Sequence, residues 1–353
     1  MRRALIFCAL ALLCAVPALG AELEVPGLDQ VWEEAEGYGV APDTSLEQGL
    51  SSLFDRGLRQ LGALFRASLS TAMKLSAVVL LCSLAESARA GEGDGFPAVT
   101  IAGALAITAL TMTDMAAMIG LGRDTLEKME GFSSVLLPVV AVLTAATGSV
   151  AGAAARQGAT LLFSQLLLIA IDRLLVPLVY AYVAVSCAQA AVDNPGLKKT
   201  AELLKGAATF LLTALLLAFV GYLTASGAIA GTVDAAAVKA AKLAISRAIP
   251  VVGGILADAS ETVLAGAGIL RSTVGVAGLL VVLAICVTPF LRLGLQYLVY
   301  KGAAALCATV AQPKLSGLID AIGSAFGLVL GMTGAGALVL LVSLVSAIGA
   351  VVP

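Results

Sequence analysis

From residue 324 to residue 350 the chain carries no Asp, Glu, Lys or Arg, and apolar stretches of this kind recur along most of its length. A helix needs about 20 consecutive, mostly apolar residues to cross a bilayer. Continuous apolar runs near 69–90, 97–120, 132–155, 158–192, 207–231, 273–291, 293–312 and 324–350 meet that requirement and predict membrane helices. A transmembrane barrel does not fit, because its strands alternate apolar and polar residues. The expected fold class is all-α: a polytopic membrane helix bundle of about seven to nine membrane segments. Composition agrees. Hydrophobic residues make up 60% of the chain and charged residues 12%, against roughly 45–50% and about 25% in soluble domains.

The same figures exclude several function classes. Lys+Arg number 21 against 23 Asp+Glu, with no basic block to neutralise phosphates, so no nucleic-acid partner is expected. The chain has no histidine, which removes Ser-His-Asp triads, HExxH zinc sites and histidine acid–base chemistry. No GxxxxGK[ST], GxGxxG in strand context or GxSxG occurs. Cys82, Cys187, Cys286 and Cys307 lie in apolar stretches without CxxC spacing and read as small buried hydrophobes. No cofactor, metal or catalytic residue is expected, and the chain is not expected to be an enzyme.

Residues 1–20 have the form of a secretory signal. Arg2 and Arg3 precede an apolar run from Ala4 to Val16, and Ala18 and Gly20 place small residues before an expected cleavage at Ala21. An uncleaved signal anchor is the alternative, which the short apolar run disfavours. The acidic segment 21–45 has no Lys or Arg and is expected on the exterior side. It reads either as a solvated tail or as an anchor holding Trp32 and Tyr38 at headgroup level. Over 46–68, Leu46, Leu50, Leu53, Phe54, Leu58, Leu61 and Phe65 recur at helical spacing, with Arg56, Arg59 and Arg66 off that stripe. This predicts an amphipathic helix on the membrane or on a partner.

The membrane groups are expected over 69–231 and 273–353. Within 158–192, Asp172 and Arg173 interrupt the run and Pro177 follows, so one long tilted helix, a kinked helix or two short segments all fit. Positive-inside counting favours two segments, with Lys198, Lys199 and Lys205 in the cytoplasm. Between the groups, 232–272 has helical propensity on both sides of a break at Pro250, Gly253 and Gly254. An interfacial hairpin, a re-entrant element or a simple hinge would each produce that pattern.

Ionisable residues inside apolar runs cost about 2.5–3.5 kcal/mol each at the centre of a span, so they usually face a bundle interior, a polar path or one another. Lys301, Asp114, Asp172 and Arg173 are the candidates, with Asp114 the proposed partner of Lys301. Lys74 lies near a span end and reads as a snorkelling lysine. Gly323, Gly327 and Gly331 share one helix face, and Gly148 and Gly152 repeat the spacing once. Small residues at this spacing pack membrane helices closely, within one chain or between two.

Ala248 to Leu306 resembles the stage III sporulation protein AE family of endospore-forming bacteria. The resemblance rests on Ile249-Pro250-Val251-Val252-Gly253-Gly254, on Asp258 and Glu261-Thr262-Val263-Leu264, on Val274-Gly275-Val276 and on Tyr300-Lys301. It extends more loosely back to about residue 70. It implies a multispan protein of the mother-cell membrane around the forespore. Its implied partners are membrane proteins of the same sporulation operon complex and a forespore membrane partner, together forming a channel that supports late forespore development. It carries over no catalytic residues. A self-sufficient permease or secondary transporter is the alternative, suggested by the intramembrane charges and broken helices, although no internal repeat is visible.

Overall fold

The computed structural model describes residues 27–41, 44–88, 98–146, 162–192, 194–225, 273–309 and 313–349. Among them are seven helices and no strand: α1 (Leu28–Gly37), α2 (Leu46–Ala88), α3 (Ala98–Ala146), α4 (Leu162–Val192), α5 (Pro195–Ala225), α6 (Thr273–Ala308) and α7 (Pro313–Gly349). Six of them, α2 to α7, are long and apolar enough to cross a membrane.

Local chemistry sets the starts. Ser45 and Gln48 form a reciprocal cap at α2: the Gln48 N–H donates to Ser45 Oγ and the Ser45 N–H to Gln48 Oε1. Asn194 Oδ1 accepts from the Gly196 N–H at the start of α5, where Pro195 fills the first helical position without wasting a donor. Pro313 does the same for α7. The end of α1 needs a left-handed residue, supplied by Gly39 at φ +79°, and the Val40 N–H returns to the Ala35 carbonyl.

Cross-helix contacts fix the directions. Thr288 donates to Gln60, Ser68 to Gln296 and the Cys307 thiol to Ser76. The pairing moves forward on both chains together, so α2 and α6 run parallel. Thr100 of α3 donates to Glu86 of α2 at 2.6 Å, closing an antiparallel pair. Asp114 and Met129 of α3 meet Tyr300 and Cys286 of α6, again antiparallel. Phe163 of α4 stacks edge-on against Phe219 of α5. The lower end of the bundle holds the end of α2, the starts of α3, α5 and α7 and the ends of α4 and α6.

Helix α7 forms the axis. Its most apolar window is completely buried, and it packs on α2, α3, α4, α5 and α6. Its sequence is apolar on every face, the pattern of a helix surrounded by others. The outside is apolar as well: Leu81, Leu84, Leu105 and Phe210 are exposed. Exposed apolar side chains in this number belong in lipid or against a partner.

Several expectations change here. The amphipathic helix 46–68 and the span 69–90 are one helix over 46–88. The expected spans 97–120 and 132–155 share the single helix α3, and 273–291 and 293–312 share α6. At ~1.5 Å per residue, the 49 residues of α3 extend roughly 74 Å, more than twice a ~30 Å hydrocarbon core. The charges between its two apolar halves, Arg123, Asp124, Glu127 and Lys128, lie on its exposed face, while Gly122, Thr125, Leu126 and Met129 are buried. Pro138 and Pro289 sit inside α3 and α6 without ending them. Neighbouring helices and local adjustment make proline tolerable in membrane helices.

Asp172 and Arg173 do not break the chain into two segments. They lie in a five-residue π turn, Ile171–Leu175, within the continuous helix α4. Pro177, two residues beyond the turn, cannot donate to the carbonyl of Arg173, and the wider turn accommodates that missing bond. The acidic amino-terminal stretch is not a plain solvated tail over 28–37. It is a helix that buries Val31 and Ala35 against the upper end of the bundle.

Candidate functional site: a charged and polar layer inside the bundle

In the lower half of the bundle, polar side chains from six helices come together. On one side of α6, Ser68 donates to Gln296 Oε1 at 2.9 Å. Gln296 Nε2 and the Tyr300 hydroxyl both donate to Asp114 Oδ2, at 3.3 and 3.1 Å. Tyr300 is fully buried against Phe326. The Asp114 carboxylate is held by neutral donors on α6 and has no cation within ion-pair reach among the described residues.

On the other side, Lys301 Nζ lies 2.7 Å from Asp320 Oδ1 and 2.8 Å from Ser324 Oγ, both on α7. Lys205 of α5 reaches the same Ser324 Oγ at 3.3 Å, with Tyr182 of α4 beside it. Ser324 is fully buried, while Lys301 and Asp320 are 26% and 51% exposed. The layer thus holds two ammonium groups and two carboxylates, separated into two clusters by α6. Adjacent helical residues point about 100° apart, so Tyr300 serves one cluster and Lys301 the other.

The expected Lys301–Asp114 pair does not form. Lys301 takes Asp320, an acid one turn before Ser324 that the sequence reading left outside the last span. Lys205, counted with Lys198 and Lys199 as cytoplasmic by the positive-inside rule, lies on the inward stripe of α5 with Ala201, Ala208 and Leu212. Asp172 pairs with Arg123 of α3 at 2.8 Å, both about half exposed, and Arg173 is exposed on the outer surface of α4. Gly323 lies where α7 packs against the backbone of α6. A Cβ built there stands 3.2 Å from the Tyr300 Cβ and 3.4 Å from the Lys301 backbone nitrogen. Gly327 and Gly331 are buried along α7, so this small-residue face packs within the chain. Gly148, Gly152, Pro250, Gly253 and Gly254 lie outside the described residues. Among the described residues no cluster of acids and cysteines could hold a metal ion.

A bundle of six apolar helices long enough to cross a membrane, five of them packed around the sixth and closed by an interior layer of charged and polar side chains, defines a polytopic helical membrane protein. The sequence model of one family, described as stage III sporulation protein AE, matches residues 45–351, and the chain belongs to that family. A curated relative, Stage III sporulation protein AE of Bacillus subtilis (strain 168), is 25% identical over 197 residues, covering 56% of this chain and 49% of the relative. The match thus spans about half the length of that relative. No solved structure matches.

Proposed function

We propose that this chain is an integral membrane component of a multiprotein, secretion-like channel complex that links mother cell and forespore and supports late forespore development. In this reading it sits in the mother-cell membrane around the forespore and assembles with other membrane proteins of the same sporulation operon and with a forespore membrane partner. It works by assembly and carries no catalytic chemistry. Family membership over residues 45–351 carries the sporulation part. The complete burial of the most apolar stretch of α7 supports a component over a self-sufficient permease. A carrier places its substrate at an accessible site between helices, and here the bundle axis is filled by close helix contact at Gly323. Reconstitution of the purified chain alone in liposomes separates the two readings: the component reading predicts no solute flux above that of empty vesicles, and sustained flux of any solute overturns it.

The upper end of the bundle faces the space between the two membranes. Support comes from the acidic helix α1, whose Asp29, Glu33, Glu34 and Glu36 sit at that end without a basic residue among them, since exterior segments need no positive charge. Asp29→Cys and Glu36→Cys, both at exposed positions, are expected to react with an impermeant thiol reagent once it reaches that space. Labelling that requires lysis of the mother-cell cytoplasm would place this end inside.

A further inference from the structure

Helices α5 and α6 each pack on α7 but do not form a packed pair with one another. This leaves a groove that opens at the lower end. Its floor is the exposed strip of α7 at Gly317 and Asp320, and Lys205 and Lys301 stand on its two walls. Lys198, two turns from Lys205 on the same face of α5, is exposed near the mouth.

Among the described residues, the hydrogen-bond inventory of this groove does not close. An ammonium group has three donors and a hydroxyl oxygen two acceptor positions. Lys301 and Lys205 together fill both acceptor positions of Ser324, and Lys301 also takes Asp320. Among the described residues, one donor on Lys301 and two on Lys205 have no partner, and Lys205 has no carboxylate within ion-pair reach. Counting Lys205, Lys301 and Asp320, the groove carries one positive charge in excess. Glu202, the other acid on this part of α5, points to the outer surface. Asp114 lies across α6 and is held by Tyr300 and Gln296.

We infer that this groove binds a phosphate group, with the headgroup of an anionic phospholipid as its source. A phosphodiester brings one negative charge and several acceptor oxygens to donors that converge from two helices. The depth suits a headgroup: Lys301 and Lys205 lie about 10 and 15 Å from the lower helix ends, counted at ~1.5 Å per residue, and the polar zone of each leaflet reaches inward from the bundle end. Leu298, one turn from Lys301 on the same face of α6, is 61% exposed and offers an acyl chain its contact. Basic pockets between membrane helices bind anionic headgroups on this principle. The inference stands on the groove alone and does not depend on the sporulation role.

The test uses the purified full-length protein, stripped of lipid, titrated in separate arms with phosphatidylglycerol and with inorganic phosphate, with bound ligand read by native mass spectrometry. The expected result is one phosphatidylglycerol per chain, weakened at least tenfold in K205Q/K301Q and retained in K205R/K301R. Asp320→Asn removes the competing carboxylate and is expected to tighten binding several-fold, an effect that a merely structural lysine pair would not produce. Lysine-dependent binding of inorganic phosphate without phosphatidylglycerol binding would keep the phosphate site and move its source to a free anion. Equal binding by wild type and K205Q/K301Q overturns the proposal. Should that variant fail to fold, weaker binding in Asp320→Asn overturns it on its own.

Discussion

Gly323→Leu is expected to abolish the stable bundle while leaving membrane insertion intact. The position of a Cβ at residue 323 already stands 3.2 Å from the Tyr300 Cβ and 3.4 Å from the Lys301 backbone nitrogen, so the obstacle is the α6 backbone and its first side-chain carbon. A flexible side-chain tip would rotate away, but a helix backbone moves only as a whole. Leucine adds three further carbons in that direction, and α6 and α7 must separate. The separation also pulls Lys301 from Asp320 and Ser324, which flank Gly323 on α7. Overpacking alone costs about 1–3 kcal/mol, occasionally more, and the broken charge pair adds to it. Leucine is more apolar than glycine, so insertion does not suffer. The measurement is the amount of chain in the membrane fraction together with its melting temperature after detergent extraction. Normal membrane levels with a collapsed or aggregated extract are expected. Gly302→Leu is the control, because a Cβ there meets nothing within 4 Å and little change should follow. A Gly323→Leu protein that melts with the wild type would show that the two helices do not approach as described.

The second large effect concerns charge, and it has an order as well as a sign. Among the described residues, Asp320 is the one carboxylate in ion-pair reach of Lys301, and Lys301 and Lys205 both donate to Ser324. Lys301→Met leaves one lysine and one carboxylate near the same hydroxyl, so Lys205 is placed to take over Asp320. Asp320→Asn leaves two ammonium groups sharing one serine with no counter-charge. Asp320→Asn should therefore destabilise more than Lys301→Met. Breaking a fully buried pair costs about 3–5 kcal/mol, and an exposed pair is worth about 0–1. With Asp320 half exposed, the loss for Asp320→Asn is on the order of 2 kcal/mol. Lys301→Met added to Asp320→Asn removes the surplus charge and is expected to recover most of that loss. Thermal melting of the four proteins in a detergent free of phospholipid and phosphate reads all of this. A double variant no better than Asp320→Asn, or a Lys301→Met protein worse than Asp320→Asn, contradicts the assigned pairing.

Why the sequence reading reached the helical bundle but missed the Lys301 partner is a matter of period and position. Long continuous apolar runs specify helices across a bilayer with little ambiguity. Where one helix ends is specified far less strongly. The charges at 123–130 look like a loop between two spans when counted as a block. Taken at helical period they fall on one face, with Gly122, Thr125, Leu126 and Met129 on the other, and that signal was available. The expected boundary between 273–291 and 293–312 falls at Arg292, but α6 runs on through it; Pro289 removes only one donor in a packed membrane helix and does not end it. Lys205 counts with Lys198 and Lys199 as cytoplasmic charge. Its spacing from Ala201, Ala208 and Leu212 places it on the buried stripe. Asp320 lay just ahead of the expected final span, yet stands one turn from Ser324 and so shares its face. Which charges meet across helices is a property of register between distant segments. The constant offset of the Gln60–Thr288 and Ser68–Gln296 pairs records that register in the structure, and no local pattern encodes it.

The claim that this chain works as one part of a membrane assembly is tested most directly by crosslinking in sporulating cells. A photoreactive residue placed at an exposed apolar position of α2, such as Leu81 or Leu84, is crosslinked in vivo, and the covalent products are identified by mass spectrometry. The account predicts discrete adducts to other membrane proteins of the sporulation complex, formed only during sporulation and retained in Gly302→Leu. Crosslinks confined to lipid at every such position, with the chain isolated as a lone species that still supports spore formation, would contradict it.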